Sequence, residues 1–272
     1  LLNQLKLREV INAEFHNQLN EDFIEKILSR KPKLVWIETP SNPLLRITDI
    51  VKITAAAHQV GTVVVVDNTF LSPALQQPLN LGADIVIHST TKYINGHSDV
   101  VGGAVIAKSQ EHFEYLKYWA NCLGLTASPF DSYLTLRGLR TLKARLAVHL
   151  ANTKSIVNVL NAHQAVQKIY YPGLKDHPGH AIALTQQSDF GAMISFELSD
   201  TDEVKTFLQQ LNYFSLAESL GGVESLVAHP ATMTHASLDA EALKTAGITH
   251  GLVRISVGIE DAEDLCADIK AA

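Results

Sequence analysis

Four consecutive valines, Val63 to Val66, run straight into Asp67. A β-branched run of that length has no polar face, so it predicts a strand buried on both sides, as in a parallel sheet covered by helices. A second apolar stretch, Ala83 to His88, ends in Ser89-Thr90-Thr91-Lys92, and between the two lies a short helix or turn after Pro73. Parallel strands joined by such a crossover are neighbours. Both then deliver polar residues to the C-terminal edge of the sheet, where open α/β folds build their ligand sites.

Periodicity extends this pattern in both directions. Helical spacing covers Glu21 to Ser29, about Asp49 to Val60 and Gln110 to Cys122, with further strands at Leu34 to Ile37 and around Gly103 to Ala107. Strands alternating with helices predict an α/β fold with a mainly parallel sheet. From Pro129 to Ala162 the chain reads as one long helix without internal proline, and a domain boundary is placed on it near residue 147. Strands at Val166 to Tyr170, Ala192 to Glu197 and Leu252 to Val257 then alternate with helices at His180 to Gln187, Asp202 to Leu211 and Ala262 to Ile269. The expectation is a large domain over 1–147 and a smaller α/β domain over 148–272.

Composition removes several classes of function. The formal charge is −6 and no basic stripe stands out, which argues against a nucleic-acid partner. No apolar run approaches the roughly 18 residues of a membrane span. Cys122 and Cys266 are far apart and outside any metal-ligand or redox spacing, so they read as reduced thiols of a cytoplasmic protein. Hydrophobic residues at 46% against 18% charged suit a chain that hides surface against another subunit. The opening Leu1-Leu2-Asn3-Gln4 has neither an initiator Met nor a signal pattern, and the chain is expected to begin mid-protein.

The chemistry concentrates at the two strand ends. Asp67 reads either as a cap for the next turn or as the partner of a cationic ring nitrogen. Ser89, Thr91 and Lys92 supply two hydroxyls and an amine, a set that suits binding a phosphate and forming a Schiff base; a Ser/Thr-rich turn with a solvated lysine is the plainer alternative. Gly96-His97-Ser98-Asp99 and Gly102-Gly103 follow, and such glycines let the chain turn tightly beside a cofactor. Of the 12 histidines, His88 and His97, with Asp99, are the candidates for a metal site. No His pair has i, i+4 spacing around a Glu, so no metal is expected, and His229 and His235 read as loop and core residues.

Three motifs, Val66-Asp67-Asn68-Thr69-Phe70, Ser89-Thr90-Thr91-Lys92-Tyr93 and Asn95-Gly96-His97-Ser98-Asp99, together resemble the Cys/Met-metabolism family of pyridoxal-phosphate enzymes. The likeness also takes in Glu38 to Pro43, Arg137 to Leu142, Glu218 to Ser225 and Arg254 to Glu260, and so spans essentially the whole chain. It implies the aspartate-aminotransferase (fold type I) architecture and pyridoxal 5'-phosphate as cofactor. Carried over residue by residue, it makes Lys92 the Schiff-base lysine, Asp67 the partner of the pyridinium nitrogen, and Ser89 and Thr91 phosphate ligands. Asn42 would lie near the cofactor's phenolic oxygen, and Arg254 would clamp the substrate α-carboxylate. Ser219 and Thr234 would help to hold Lys92 and the carboxylate region, and Glu218 would attract the amino group of cysteine.

The family resemblance leads to γ-replacement: an acyl-homoserine, with the succinyl ester favoured, condenses with cysteine to give cystathionine in methionine biosynthesis. Cleavage of cystathionine at Cγ and sulfhydrylation of the ester are the alternatives, because the same lysine and cofactor serve all three. A reading of another class, a non-catalytic fragment that acts in subunit interaction, is motivated by the abrupt N-terminus. Family likeness further implies a cytoplasmic homotetramer and small-molecule substrates, with part of the large domain missing ahead of Leu1.

Overall fold

In a computed structural model that describes residues 2–20, 22–236 and 239–272, the valine run forms the centre of a sheet. The first half of the chain contains α1 (Leu2–Leu7), α2 (Phe23–Arg30), β1 (Leu34–Glu38), α3 (Ile50–His58), β2 (Val63–Asp67), α4 (Ser72–Leu75), a 3-10 turn (Pro78–Leu81), β3 (Ile85–Ser89), β4 (Gly103–Ala107) and α5 (Gln110–Cys122). The sheet order is β1-β2-β3-β4. Val64, Val65 and Val66 are buried, as a strand covered on both faces requires. Asp49 caps α3 by accepting from Lys52 N at 2.9 Å. The expected start of the first long helix at Glu21 lies outside the described residues.

β1, β2 and β3 are parallel, with Glu38 opposite Asp67 and Asp67 opposite Ile87, so the residues that end these strands share one edge. β4 runs antiparallel to β3. The connection contains no helix to cross the sheet; instead Thr90 N and Thr91 N both donate to Gly102 O, closing a loop that returns the chain.

α6 (Pro129–Ala162) leads to the second half, and residue 147 falls midway along it. There follow β5 (Lys168–Tyr170), α7 (His180–Gln186), β6 (Met193–Glu197), α8 (Thr201–Gln210), β7 (Ser215–Leu216), β8 (Leu226–Ala228), α9 (Ala240–Ala246), β9 (Leu252–Ser256) and α10 (Ala262–Ala271). The order is β5-β6-β9-β8-β7, antiparallel except for the β7–β8 pair. Ile194, Phe196, Val253 and Ile255 pack with Ile156, Leu160, Leu265 and Ile269 in its core. Leu142 and Leu146 of α6 join Tyr93, Phe70 and Leu71 from the first half and Met193 and Leu220 from the second, one cluster that ties the two sheets. Among the described residues no helix is long and apolar enough to cross a membrane.

Candidate active site

Lys92 stands three residues beyond the end of β3, in a turn fixed by its backbone: Lys92 N donates to Ser89 O, Asn95 N to Thr90 O, and Gly96 N to Lys92 O at 2.7 Å. The side chain is half-buried, and its Nζ donates to Ser219 Oγ at 3.1 Å. Burial lowers the lysine pKa below its ordinary value, and the charge of Arg254 lowers it further. More of the amine is therefore neutral, and nucleophilic, near neutral pH.

Asp67 ends the neighbouring strand, half-buried, with Oδ1 accepting from Thr69 N at 3.0 Å. Thr69 Oγ1 in turn accepts from Ser89 N at 2.8 Å, which ties the β2 end to the β3 end. His88 is buried between them; loss of hydration lowers its pKa, against the pull of the Asp67 charge. Thr91 Oγ1 accepts from Gly102 N at 3.0 Å and donates to Gly102 O at 3.3 Å. Among the described residues Ser89 Oγ has no side-chain hydrogen bond, so its donor is open to a ligand.

Arg254 comes from the middle of β9, 2% exposed. Its Nη1 donates to Asn42 Oδ1 at 3.0 Å, and its Nη2 donates to the carbonyls of Glu218 at 2.7 Å and Ser219 at 3.2 Å. Burial pulls its pKa down to about 10, with Tyr93 and Glu218 acting in the opposite sense, so the guanidinium is charged at neutral pH. Its Nε is buried without an acceptor, an arrangement that leaves one donor for an anion. Asn42 N donates to Glu38 Oε1 at 2.9 Å, so the end of β1 joins the same edge. The Glu38 pKa is raised by loss of hydration at its carboxylate, with the Asp67 charge adding to the rise.

Gly221 explains how Ser219 reaches Lys92. It has φ +76°, its N donates to Ser256 Oγ at 2.8 Å, and a Cβ there would sit 2.8 Å from Tyr93 N. Only a glycine lets the 219–221 strap lie against the lysine turn. The structure thus links Lys92, Ser219, Arg254 and Asn42 in one chain of hydrogen bonds, with Asp67, Ser89 and Thr91 at or just beyond the ends of two neighbouring strands. Glu218 meets Arg254 through its carbonyl, and its exposed carboxylate makes no side-chain hydrogen bond among the described residues. Thr234 Oγ1 pairs with His235 Nδ1 at 2.8 Å, and the charge of Arg254 adds to the burial that lowers the His235 pKa. His97 and Asp99 bond within their own loop, to Asn95 O and Asn95 Nδ2.

Arg145 was not among the residues the sequence singled out. It is 6% exposed, and its Nη2 donates to Tyr93 O at 2.9 Å, Gly138 O at 2.9 Å and Ile94 O at 3.3 Å. The one available signal was its place on the stripe Leu142, Arg145, Leu146, His149, where a charge falls on the buried face of the helix.

A model of the Cys/Met metabolism PLP-dependent enzymes matches residues 1–272. The chain is 54% identical over 271 residues to cystathionine gamma-synthase of Escherichia coli K12, covering 99% of this chain and 70% of that one. It is 49% identical to cystathionine gamma-lyase of Bacillus subtilis 168, covering 96% and 69%. Among solved structures, cystathionine gamma synthase of Xanthomonas oryzae pv. oryzae in complex with aminoacrylate and cysteine superposes with a TM-score of 0.97 at 57% identity, covering 99% of this chain and 70% of that one. The fold type I architecture implied by the motifs is thereby shown.

Proposed function

The chain belongs to the Cys/Met metabolism family of PLP-dependent enzymes, whose cofactor is pyridoxal 5'-phosphate, and on that footing we propose that it performs γ-replacement. The reaction joins an O-acylhomoserine, taken as O-succinylhomoserine, to L-cysteine and gives cystathionine. Its relatives include both cystathionine synthases and lyases, so the fold alone does not choose between them.

The residues present suit the cofactor. A half-buried amine of lowered pKa, a carboxylate at the end of the next strand and the Ser89 hydroxyl form a set of the kind it requires, and Thr91 would join Ser89 on the phosphate by turning its hydroxyl from Gly102 O. When bound, it would supply an electron sink for charge left at the substrate Cα. The Asp67 carboxylate would hold a proton on the ring nitrogen. Arg254 would bind the substrate α-carboxylate, its unpartnered Nε supplying a donor, while Asn42 on its Nη1 fixes the fork. Lys92 Nζ would take the proton from Cα and move protons along the substrate, held meanwhile by Ser219 Oγ. Thr234, beside the His235 on which the Arg254 charge acts, would help to hold the carboxylate region.

Glu218 is the observation on which the choice of γ-replacement rests. Its carbonyl is pinned by Arg254 while its carboxylate is exposed, a placement suited to attracting the ammonium of an incoming cysteine beside the bound ester. We also place the two domains at 1–147 and 148–272. A cytoplasmic homotetramer fits the apolar side chains exposed on α5 and early α6, Tyr118, Trp119, Phe130 and Tyr133 among them.

The test supplies the chain and pyridoxal phosphate with O-succinylhomoserine plus cysteine, with the ester plus sulfide, and with cystathionine alone. Cystathionine formation fastest with cysteine is expected, and Glu218→Ala should raise KM for cysteine more than KM for the ester. Faster breakdown of cystathionine than its formation would make the protein a lyase, and equal effects on both KM values would remove Glu218 from selectivity.

A further inference from the structure

We infer that Arg145 is a positioning residue for Lys92: its buried guanidinium fixes the turn that follows the lysine and so sets where the amine stands. The inference rests on the cofactor reading above and adds a residue to it.

Tyr93 and Ile94, whose carbonyls Arg145 Nη2 holds, are the two residues directly after Lys92. The same Nη2 also holds Gly138 O of α6, and Nε donates to Thr141 Oγ1 at 3.1 Å. One side chain therefore couples the lysine turn to the helix. The fit is close on both sides: a Cβ on Gly138 would lie 2.1 Å from Asn95 O, and one on Gly96 would lie 2.1 Å from Arg145 Nη1. Nη1 itself is buried without a partner.

A buried cation with no carboxylate is costly to fold around. Among the described residues Arg145 pairs with none, and burial lowers its pKa. Neutral donors would cap two carbonyls at lower cost, so a purely structural tie leaves the choice of arginine unexplained. Position explains it. Nη2 contacts the carbonyls of the residues one and two beyond Lys92, Gly138 of the same helix abuts Asn95 O, and Gly96 N closes the turn itself onto Lys92 O, so the helix holds the side of the turn that follows the lysine. A displacement of about 1 Å at a reacting group can change a rate by about a hundredfold.

The charged group facing Lys92 is Arg254 from β9, and the hydroxyl facing it is Ser219 on the strap. Arg145 acts on His149 of its own helix, whose pKa is lowered by burial first and by the Arg145 charge as well, while Glu224 and Glu260 act in the opposite sense.

The experiment compares the full chain with Arg145→Met, Arg145→Lys and Thr141→Ala. Each is incubated with pyridoxal phosphate and quenched with borohydride across a pH series, and labelling of Lys92 is located by peptide mapping. The amine adds to the aldehyde carbon and water leaves; borohydride then delivers hydride to that carbon and solvent a proton to nitrogen. In Arg145→Met, labelling should be at least about tenfold slower, with its pH midpoint raised as water reaches the loosened amine. Arg145→Lys, which keeps the charge, and Thr141→Ala, which removes only the Nε acceptor, should fall between that variant and the unmodified chain. Lowered thermal midpoints with unchanged labelling rate and pH midpoint in the folded variants would make Arg145 merely structural and overturn the inference. Should Arg145→Met fail to fold, the other two variants decide by the same criterion. An unmodified chain that labels elsewhere than Lys92 would overturn the cofactor reading, and this inference with it.

Discussion

Arg254 does two jobs with one guanidinium. It holds the carbonyls of Glu218 and Ser219, which keeps Ser219 beside Lys92, and it retains a buried Nε with no acceptor among the described residues. Lysine in its place keeps a charge and loses the planar fork. Loss of one charge-assisted hydrogen bond is worth about 1.5–3 kcal/mol, so Arg254→Lys should raise the apparent KM for the homoserine ester by about tenfold or more. Covalent labelling of Lys92 by pyridoxal phosphate should persist. An unchanged KM would assign the carboxylate to another residue. At this scale the sequence was partly legible. Lys92 and Asp67 stand where strands end, and a strand end is visible in the pattern of valines and isoleucines. Arg254 sits inside an apolar strand and was named only through the family motif, because its partners, Asn42 and two backbone carbonyls, are remote in the chain. Arg145 left only its place on a buried helix face as a signal: the acceptors that tie it to the lysine turn are main-chain oxygens about 50 residues away, and main chain carries no residue-type signal.

Among the elements, those long enough to repeat their period were the readable ones. α5 and α6 begin and end where their spacing and caps place them, with Ser109 and Ser128 as N-caps accepting from His112 N and Asp131 N, each at 3.1 Å. β7 and β8 have two and three residues, too few to show alternation, and they exist because β9 pairs with β8 and β8 in turn with β7. α9 carried signals that were overlooked, Asp239 as N-cap and Gly247 at φ +78° as its terminator. α6 also passes the lysine turn at a separation that a glycine permits. Gly138→Ala should destabilise the protein by about 1–3 kcal/mol as an overpacked contact, read from the shift in a urea unfolding midpoint. Because Asn95 O cannot yield without moving the turn, the folded variant should also label Lys92 more slowly. A midpoint equal to that of the unmodified chain would show that the helix and turn separate freely.

For the molecule as a whole, five histidines, His88, His149, His177, His229 and His235, have pKa values lowered from 6.5, in each case chiefly by burial. The unfolded chain binds protons at about 6.5 and the folded chain only at lower pH, so the stability they confer is present above that value and lost as pH falls through the folded values. The urea midpoint should therefore be lower at pH 5 than at pH 7.5, and His149→Gln should narrow the gap. Equal midpoints would show that these rings take up protons without cost in the folded state. His149 belongs to a wider arrangement along α6. Its Nδ1 donates to Val257 O at 2.6 Å, and Asn152 Nδ2 donates to Gly258 O at 3.1 Å and Glu260 O at 2.8 Å, all just past the strand that carries Arg254. Gly138 and Arg145, further back on the same helix, hold the turn that carries Lys92. From Gly138 to Asn152 is about 21 Å of helix at its ordinary rise. The amine and the guanidinium come from different sheets, yet the gap between them is gauged by one rod, so the size of molecule that fits between them is set by the pitch of α6 rather than by any loop at the rim.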